Sequence, residues 1–179
     1  MKVSETELPG VLLLELDVYP DERGQFFEIF NDGRYQSLGL PTRFVQDNFS
    51  RSRKGVVRGL HYQQPRPQGK LVQVLRGRIL DVAVDLRRSS AHFARWVGIE
   101  LSSDRPTQLW VPPGFAHGFC ALTDADVLYK CTDAYVASCD RALRWNDPDL
   151  AIRWPVESPV VSPKDDRAPF LRDVHDLLD

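Results

Sequence analysis

Long apolar runs are missing from this chain. No stretch of its 179 residues approaches the length that crosses a bilayer, and Met1-Lys2-Val3-Ser4-Glu5 lacks the apolar character of a signal peptide. No membrane partner is expected, and a cytoplasmic location is. An excess of either charge is lacking too: 23 Lys and Arg against 25 Asp and Glu leave a net value of −2, so nothing marks a nucleic-acid or membrane-surface partner. Small anionic ligands stay open, because they respond to local Arg and Lys. Cysteine is limited to Cys120, Cys131 and Cys139, an odd number at spacings of neither a disulfide framework nor a zinc knuckle. Reduced thiols are expected, two of them packed in or near strands. There is no glycine-rich phosphate loop, dinucleotide fingerprint or nucleophile elbow, which disfavours the enzyme classes built on those devices. Repeats, low-complexity segments and interdomain linkers are also absent. With 42% hydrophobic residues the chain can bury one sizeable core, so a single domain over 1–179 is expected.

What is present is a period of two broken by turn residues. Val11 to Val18 predicts a strand, Pro20 to Gly24 a turn, and Gln25 to Phe30 a second strand, with one short helix around Tyr35, Leu38 and Leu40 before Pro41. Leu71 to Leu75 and Ile79 to Asp85 flank Arg76-Gly77-Arg78, which predicts a β-hairpin turning on the glycine. Further strands are expected at Trp96 to Leu101, Gln108 to Val111, Gly118 to Leu122 and Val127 to Tyr135. Asp147 to Pro169 would wrap the sheets, and Phe170 to Leu178 would close with a short helix. Many short, evenly spaced strands imply an all-β antiparallel sandwich or barrel rather than a βαβ fold.

A histidine, a lysine and a tyrosine in this pattern suggest proton transfer: His61 as base beside a carbonyl, Lys70 on the enolate oxygen, Tyr129 returning a proton. Each has a plainer reading. A lone histidine is more often hydrogen-bonded surface or core, a strand-end lysine usually reaches solvent, and a tyrosine in an alternating strand is usually core. His117, between glycines, suits a turn or a ligand contact equally. Arg58 and His61 are an odd number of residues apart, so they share a ligand only if the strand bends or bulges at Gly59. Metal-binding barrels commonly place a second histidine two residues after the first, where this chain has Gln63. A three-histidine site is therefore not expected, while two histidines with one carboxylate stay open. Arg23, Phe26, Glu28, Gln46, Asp47 and Asn48 suit a nucleotide site, the ring stacking on a base and arginine meeting diphosphate; the plainer alternative is a solvated turn and core.

In chain order, Asp21-Glu22-Arg23-Gly24, Phe44-Val45-Gln46-Asp47-Asn48, Val57 to Gln63, Gln68 to Val72, Gly114 to Phe119, Leu128-Tyr129-Lys130, Trp145-Asn146-Asp147 and Ser162-Pro163-Lys164-Asp165 resemble the dTDP-4-dehydrorhamnose 3,5-epimerase family over nearly the whole chain. The resemblance implies a cupin-type antiparallel jelly-roll barrel and a homodimer whose amino-terminal strand joins the partner's sheet. It also implies a dTDP-sugar substrate, dTDP-4-dehydro-6-deoxy-D-glucose, epimerised at C3 and C5 without cofactor or metal. Rhamnose for cell-envelope glycans such as O-antigen is the implied role. By motif, His61 resembles the family's base, Tyr129 its acid, Asp165 the carboxylate that orients the histidine, and Lys70 the group near the ketone oxygen. Arg58, His117, Tyr135, Asp140 and Lys164 resemble substrate contacts, and the Arg23 to Asn48 group resembles nucleotide and sugar contacts, some reaching across the dimer. Two residues depart from the pattern: Phe49 stands where a histidine or another aromatic residue is expected, and Asp140 where glutamate is frequent. Second to this reading is a C3-only epimerase; a 3,4-ketoisomerase, a metal-dependent oxygenase and a non-enzymatic sugar-binding cupin rank below it.

Overall fold

The computed structural model describes residues 1–177 and is built almost entirely from antiparallel strands. In chain order these are β1 (Lys2–Glu5), β2 (Leu12–Glu15), β3 (Val18–Asp21), β4 (Gly24–Phe27), β5 (Gln46–Ser52), β6 (Val57–Gln63), β7 (Lys70–Arg76), β8 (Arg78–Asp85), β9 (Trp96–Ser102), β10 (Thr107–Val111), β11 (Phe115–Ala121), β12 (Ala125–Cys131) and β13 (Asp140–Ala142), with short helices α1 (Asp32–Ser37) and α2 (Pro163–Asp166). One sheet has the order β1-β2-β10-β7-β12-β5, the other β13-β6-β11-β8-β9, and β3 pairs with β4 alone. Two antiparallel sheets face to face make the expected jelly roll.

Val72, Val74, Ile79, Ala83, Leu109, Phe119 and Val127 pack between the sheets. Peripheral segments cover both outer faces: Tyr35 and Leu40 pack on Leu14, Leu71 and Trp110 of the six-stranded sheet, while Leu171, Val174 and Leu177 pack with Leu60, Tyr62 and Val82 of the five-stranded sheet. This double coverage explains why β7 begins as an unbroken buried run rather than a clean alternation. Among the described residues, no helix is long and apolar enough to cross a membrane.

Several sequence expectations need correction. The Leu71 to Asp85 segment is not a hairpin: β7 pairs with β10 and β12, β8 with β9 and β11, so the chain changes sheets at Gly77. Gly77 does take the positive φ of 79°, but at a corner closed against Asp124. Val11 to Val18 divides into β2, whose pairing with β10 runs out at the Leu16 N–H to Pro106 O bond, and β3, which leaves the sheet to pair with β4. The strand expected to end at Phe30 ends at Phe27, β11 begins earlier than Gly118, and β12 stops at Cys131 rather than Tyr135. Strands β1, β5 and β13 were not anticipated; β5 points alternate polar side chains into a cavity and so has no apolar period. In the tail, Phe170 to Leu178 holds only a 3-10 turn at Leu171–Asp173, and Leu178 lies outside the described residues. The helix before Pro41 is present as α1, where the Asn31 side chain accepts the Arg34 N–H at 3.0 Å. All three cysteines are free and buried, Cys120 in β11 and Cys131 in β12.

Candidate active site

A cavity of about 400 Å³ opens between the two sheets, with His61 and His117 on one wall and Lys70 and Tyr129 on the other. His61 on β6 and His117 on β11 are cross-strand partners, so both side chains share the inner face. Tyr129 on β12 and Lys70 on β7 come from the opposing sheet.

A bulge lets Arg58 and His61 serve the same cavity. His117 pairs with His61 and Phe119 with Arg58, so three steps along β6 match two along β11. Glycine permits this: Gly59 has φ 126°, and a Cβ there would lie 2.6 Å from Gly118 Cα. Arg58 Nε donates to Ser52 Oγ at 2.9 Å, which steadies the guanidinium at the cavity wall.

His61 Nε2 lies 2.7 Å from Asp165 Oδ1. An ionised carboxylate only accepts, so Nε2 carries the proton and Nδ1 is left as the basic nitrogen. Asp165 is held by the local sequence. Ser162 caps α2 by accepting the Asp165 N–H at 3.1 Å, Pro163 occupies the first turn, and Gly59 N–H donates to Asp165 Oδ2 at 3.3 Å. Burial alone would raise the Asp165 pKa, but the hydrogen bond and charge of His61, with the Gly59 and Ser162 contacts, outweigh it and hold the carboxyl below its ordinary range. His117 has a matching partner, Asp81 Oδ1 at 2.7 Å, and Asp81 is fully buried. Sequence reasoning missed Asp81; its signal was a carboxylate amid the apolar residues of β8.

Lys70 is buried and donates to the His61 carbonyl at 3.3 Å. Desolvation lowers its pKa, opposed by Cys131, Asp81 and Asp140. Burial raises the Tyr129 pKa, helped by Cys131 and opposed by Arg58, so the phenol stays protonated at neutral pH. Tyr135, Asp140 and Lys164 gather at the cavity, where Asp140 Oδ2 accepts from both Lys164 Nζ and the Tyr135 hydroxyl. Gln46 and Asn48 line the cavity too. Asp47, between them, faces outward and binds Lys130 Nζ at 3.0 Å, as strand alternation requires.

Arg23, Phe26 and Glu28 do not reach this cavity. Arg23 is at the exposed tip of the β3–β4 hairpin paired with its own Asp21, Phe26 is 70% exposed, and Glu28 binds Asn31 and Arg34. Among the described residues no group of three or more His, Cys, Asp or Glu side chains could hold a metal ion.

Residues 5–173 match the family model described as dTDP-4-dehydrorhamnose 3,5-epimerase. This chain belongs to that family. The epimerase of that name from Methanothermobacter thermautotrophicus is 49% identical over 165 residues, 90% of this chain and 89% of that protein. A crystal structure of the Legionella pneumophila 3,5-epimerase in complex with dTDP-4-keto-L-rhamnose superposes with TM-score 0.94 at 48% identity, covering 97% of this chain and 94% of that one. A less similar relative, dTDP-4-dehydrorhamnose 3-epimerase from Streptomyces niveus, is 34% identical over 179 residues, 98% of this chain and 86% of that protein.

Proposed function

We propose that this isomerase epimerises dTDP-4-dehydro-6-deoxy-D-glucose at C3 and C5 to dTDP-4-dehydro-L-rhamnose, in dTDP-L-rhamnose biosynthesis. The observation that carries the reading is a His61–Asp165 pair on one wall of a cavity and Tyr129 on the facing wall. Packed sheets stand about 10 Å apart, the thickness of one sugar ring with its contacts. A ring held there has a base on one face and an acid on the other, which inversion requires.

Both hydrogens are α to the C4 ketone, so removing either gives an enolate that needs no redox step. His61 Nδ1 takes the proton, Asp165 steadies the imidazolium, and Lys70, with His117 beside it, stabilises the oxyanion. Tyr129 then protonates the same carbon from the opposite face. A single base returning its own proton would restore the starting configuration. Arg58, Gln46, Asn48, Tyr135, Asp140 and Lys164 bind the nucleotide sugar. The exposure of Arg23 and Phe26, and their place outside the chain's own cavity, support a homodimer in which the β3–β4 hairpin reaches the partner's site. Strand β1 pairs with β2 on one side and is the edge strand of the six-stranded sheet, which also leaves it an edge on which a partner's sheet can add.

Proton NMR of the substrate with metal-free protein in deuterated water, coupled to a reductase that traps product, tests the reading. Deuterium at both C3 and C5 with trapped L-rhamnose is expected. Label and inversion at C3 alone would make the chain a 3-epimerase, and no exchange at either carbon would overturn the assignment. His61→Asn is expected to abolish exchange and inversion together. Tyr129→Phe should retain exchange while losing inversion; equal loss of both would refute the division of roles.

A further inference from the structure

We propose that Gln63 is a positioning residue whose carboxamide fixes the segment Asp133–Val136, and through it Tyr135, as a wall of the cavity. The proposal rests on the nucleotide-sugar reading above, which supplies the ligand that Tyr135 meets.

Between the end of β12 and the 3-10 turn at Ala137–Cys139, residues 133–135 make no backbone–backbone hydrogen bond among the described residues. Glutamine side chains take that place. Gln68 Nε2 donates to Asp133 O at 2.7 Å, Gln63 Nε2 to Ala134 O at 3.2 Å, Tyr135 N–H donates to Gln46 Oε1 at 2.8 Å, and Val136 N–H to Gln63 Oε1 at 2.7 Å. Four successive residues are thus held by three amides that all line the cavity. Gln46 comes from the six-stranded sheet and Gln63 from the five-stranded one, so the clamp ties both sheets to one segment.

Gln63 is the central member. It is 3% exposed, its oxygen is taken by Val136, and its nitrogen serves Arg66 O at 3.1 Å as well as Ala134 O. A buried amide without partners is unfavourable, so the Gln63 side chain stays bonded to Ala134 O and the Val136 N–H and ties the half-exposed segment to the cavity wall. Gln63 also stands two residues after His61, where metal-binding barrels present a second histidine. Its polar atoms are instead committed to the backbone of the wall.

The test compares wild type, Gln63→Met and Gln63→Glu in the epimerase assay, with thermal denaturation and amide hydrogen exchange. Gln63→Met should raise KM for the nucleotide sugar roughly tenfold or more, the worth of about one hydrogen-bonded contact, with kcat within about twofold of wild type because the His61 and Tyr129 walls are untouched. Exchange at the Tyr135 and Val136 amides should quicken. Gln63→Glu keeps the acceptor for Val136 but turns a carboxylate towards two carbonyls. Its KM should therefore be raised at neutral pH and recover towards wild type as acid protonates the carboxyl into a donor. An unaltered KM in Gln63→Met, or a raised KM accompanied by proportionate falls in kcat and melting temperature in both variants without acid rescue, would overturn the proposal. An inactive wild type would instead overturn the functional reading on which it stands.

Discussion

Lys70 and Tyr129 share a wall of the cavity, and burial moves their pKa values in opposite directions: the lysine below its ordinary 10.5, the phenol above its ordinary 10.0. As pH rises, Lys70 therefore releases its proton at a lower pH than a solvated lysine would, while Tyr129 keeps its own to a higher one. Activity that needs the ammonium is complete below the folded-state pKa of Lys70 and is lost as pH climbs through it. An alkaline limb of kcat/KM set by Lys70 is therefore expected. Arginine does not deprotonate in proteins, so Lys70→Arg should lower kcat yet move that limb to higher pH in a kcat/KM profile. A limb that stays in place would assign it to another group. At this scale the sequence was informative because it names chemistry directly: His61, Lys70 and Tyr129 were legible as a proton-transfer set, while Asp165 came only with the family resemblance. Asp81 was not, because the partner of a buried histidine is chosen by pairing between distant strands, here β8 and β11.

Among the elements, β7 and β8 carry the sharpest contrast between pattern and outcome. Both form close to their expected ranges, but each faces the same core from a different sheet. A strand buried against that core has the same periodicity whichever neighbours it bonds to, so the pattern could not separate a hairpin from a sheet-to-sheet corner. Gly77 makes the corner possible: it has φ 79°, and a Cβ there would lie 2.1 Å from the Asp124 carbonyl oxygen. Gly77→Ala should destabilise the fold by about 1–3 kcal/mol through backbone strain and that clash. Urea denaturation would read this as a lower midpoint with an unchanged slope. A midpoint equal to wild type would mean that the corner relaxes without loss. Strand β5 was illegible for another reason. Its inward residues, Gln46, Asn48 and Ser50, face a polar cavity, so a functional surface replaced the apolar alternation that usually betrays a strand.

Across the whole molecule, the residues assigned to ligand recognition fall into two separated sets, one lining the cavity and one on the β3–β4 hairpin. If the hairpin serves the partner's site, a mixed dimer of His61→Asn and Arg23→Ala chains has one site that combines an intact His61 with the partner's intact arginine. Co-expression of the two variants should then restore part of the activity that each lacks alone, up to about one active site per mixed dimer. No recovery, with mixed dimers present, would place Arg23 in its own chain's site. Legible in the chain were the period-two architecture, His61, Lys70 and Tyr129 as proton-transfer candidates, and the bend at Gly59 as the condition for Arg58 and His61 to share a ligand, because each depends on local sterics or on the chemistry of one side chain; the α2 cap that presents Asp165 was not among them. Only the tertiary structure decided which sheet each strand joins, that His61 and Tyr129 stand on opposite walls, and that Asp47 turns outward to Lys130. Those outcomes depend on hydrogen-bonded pairing between segments far apart in the chain, for which a strand's own residues carry no address.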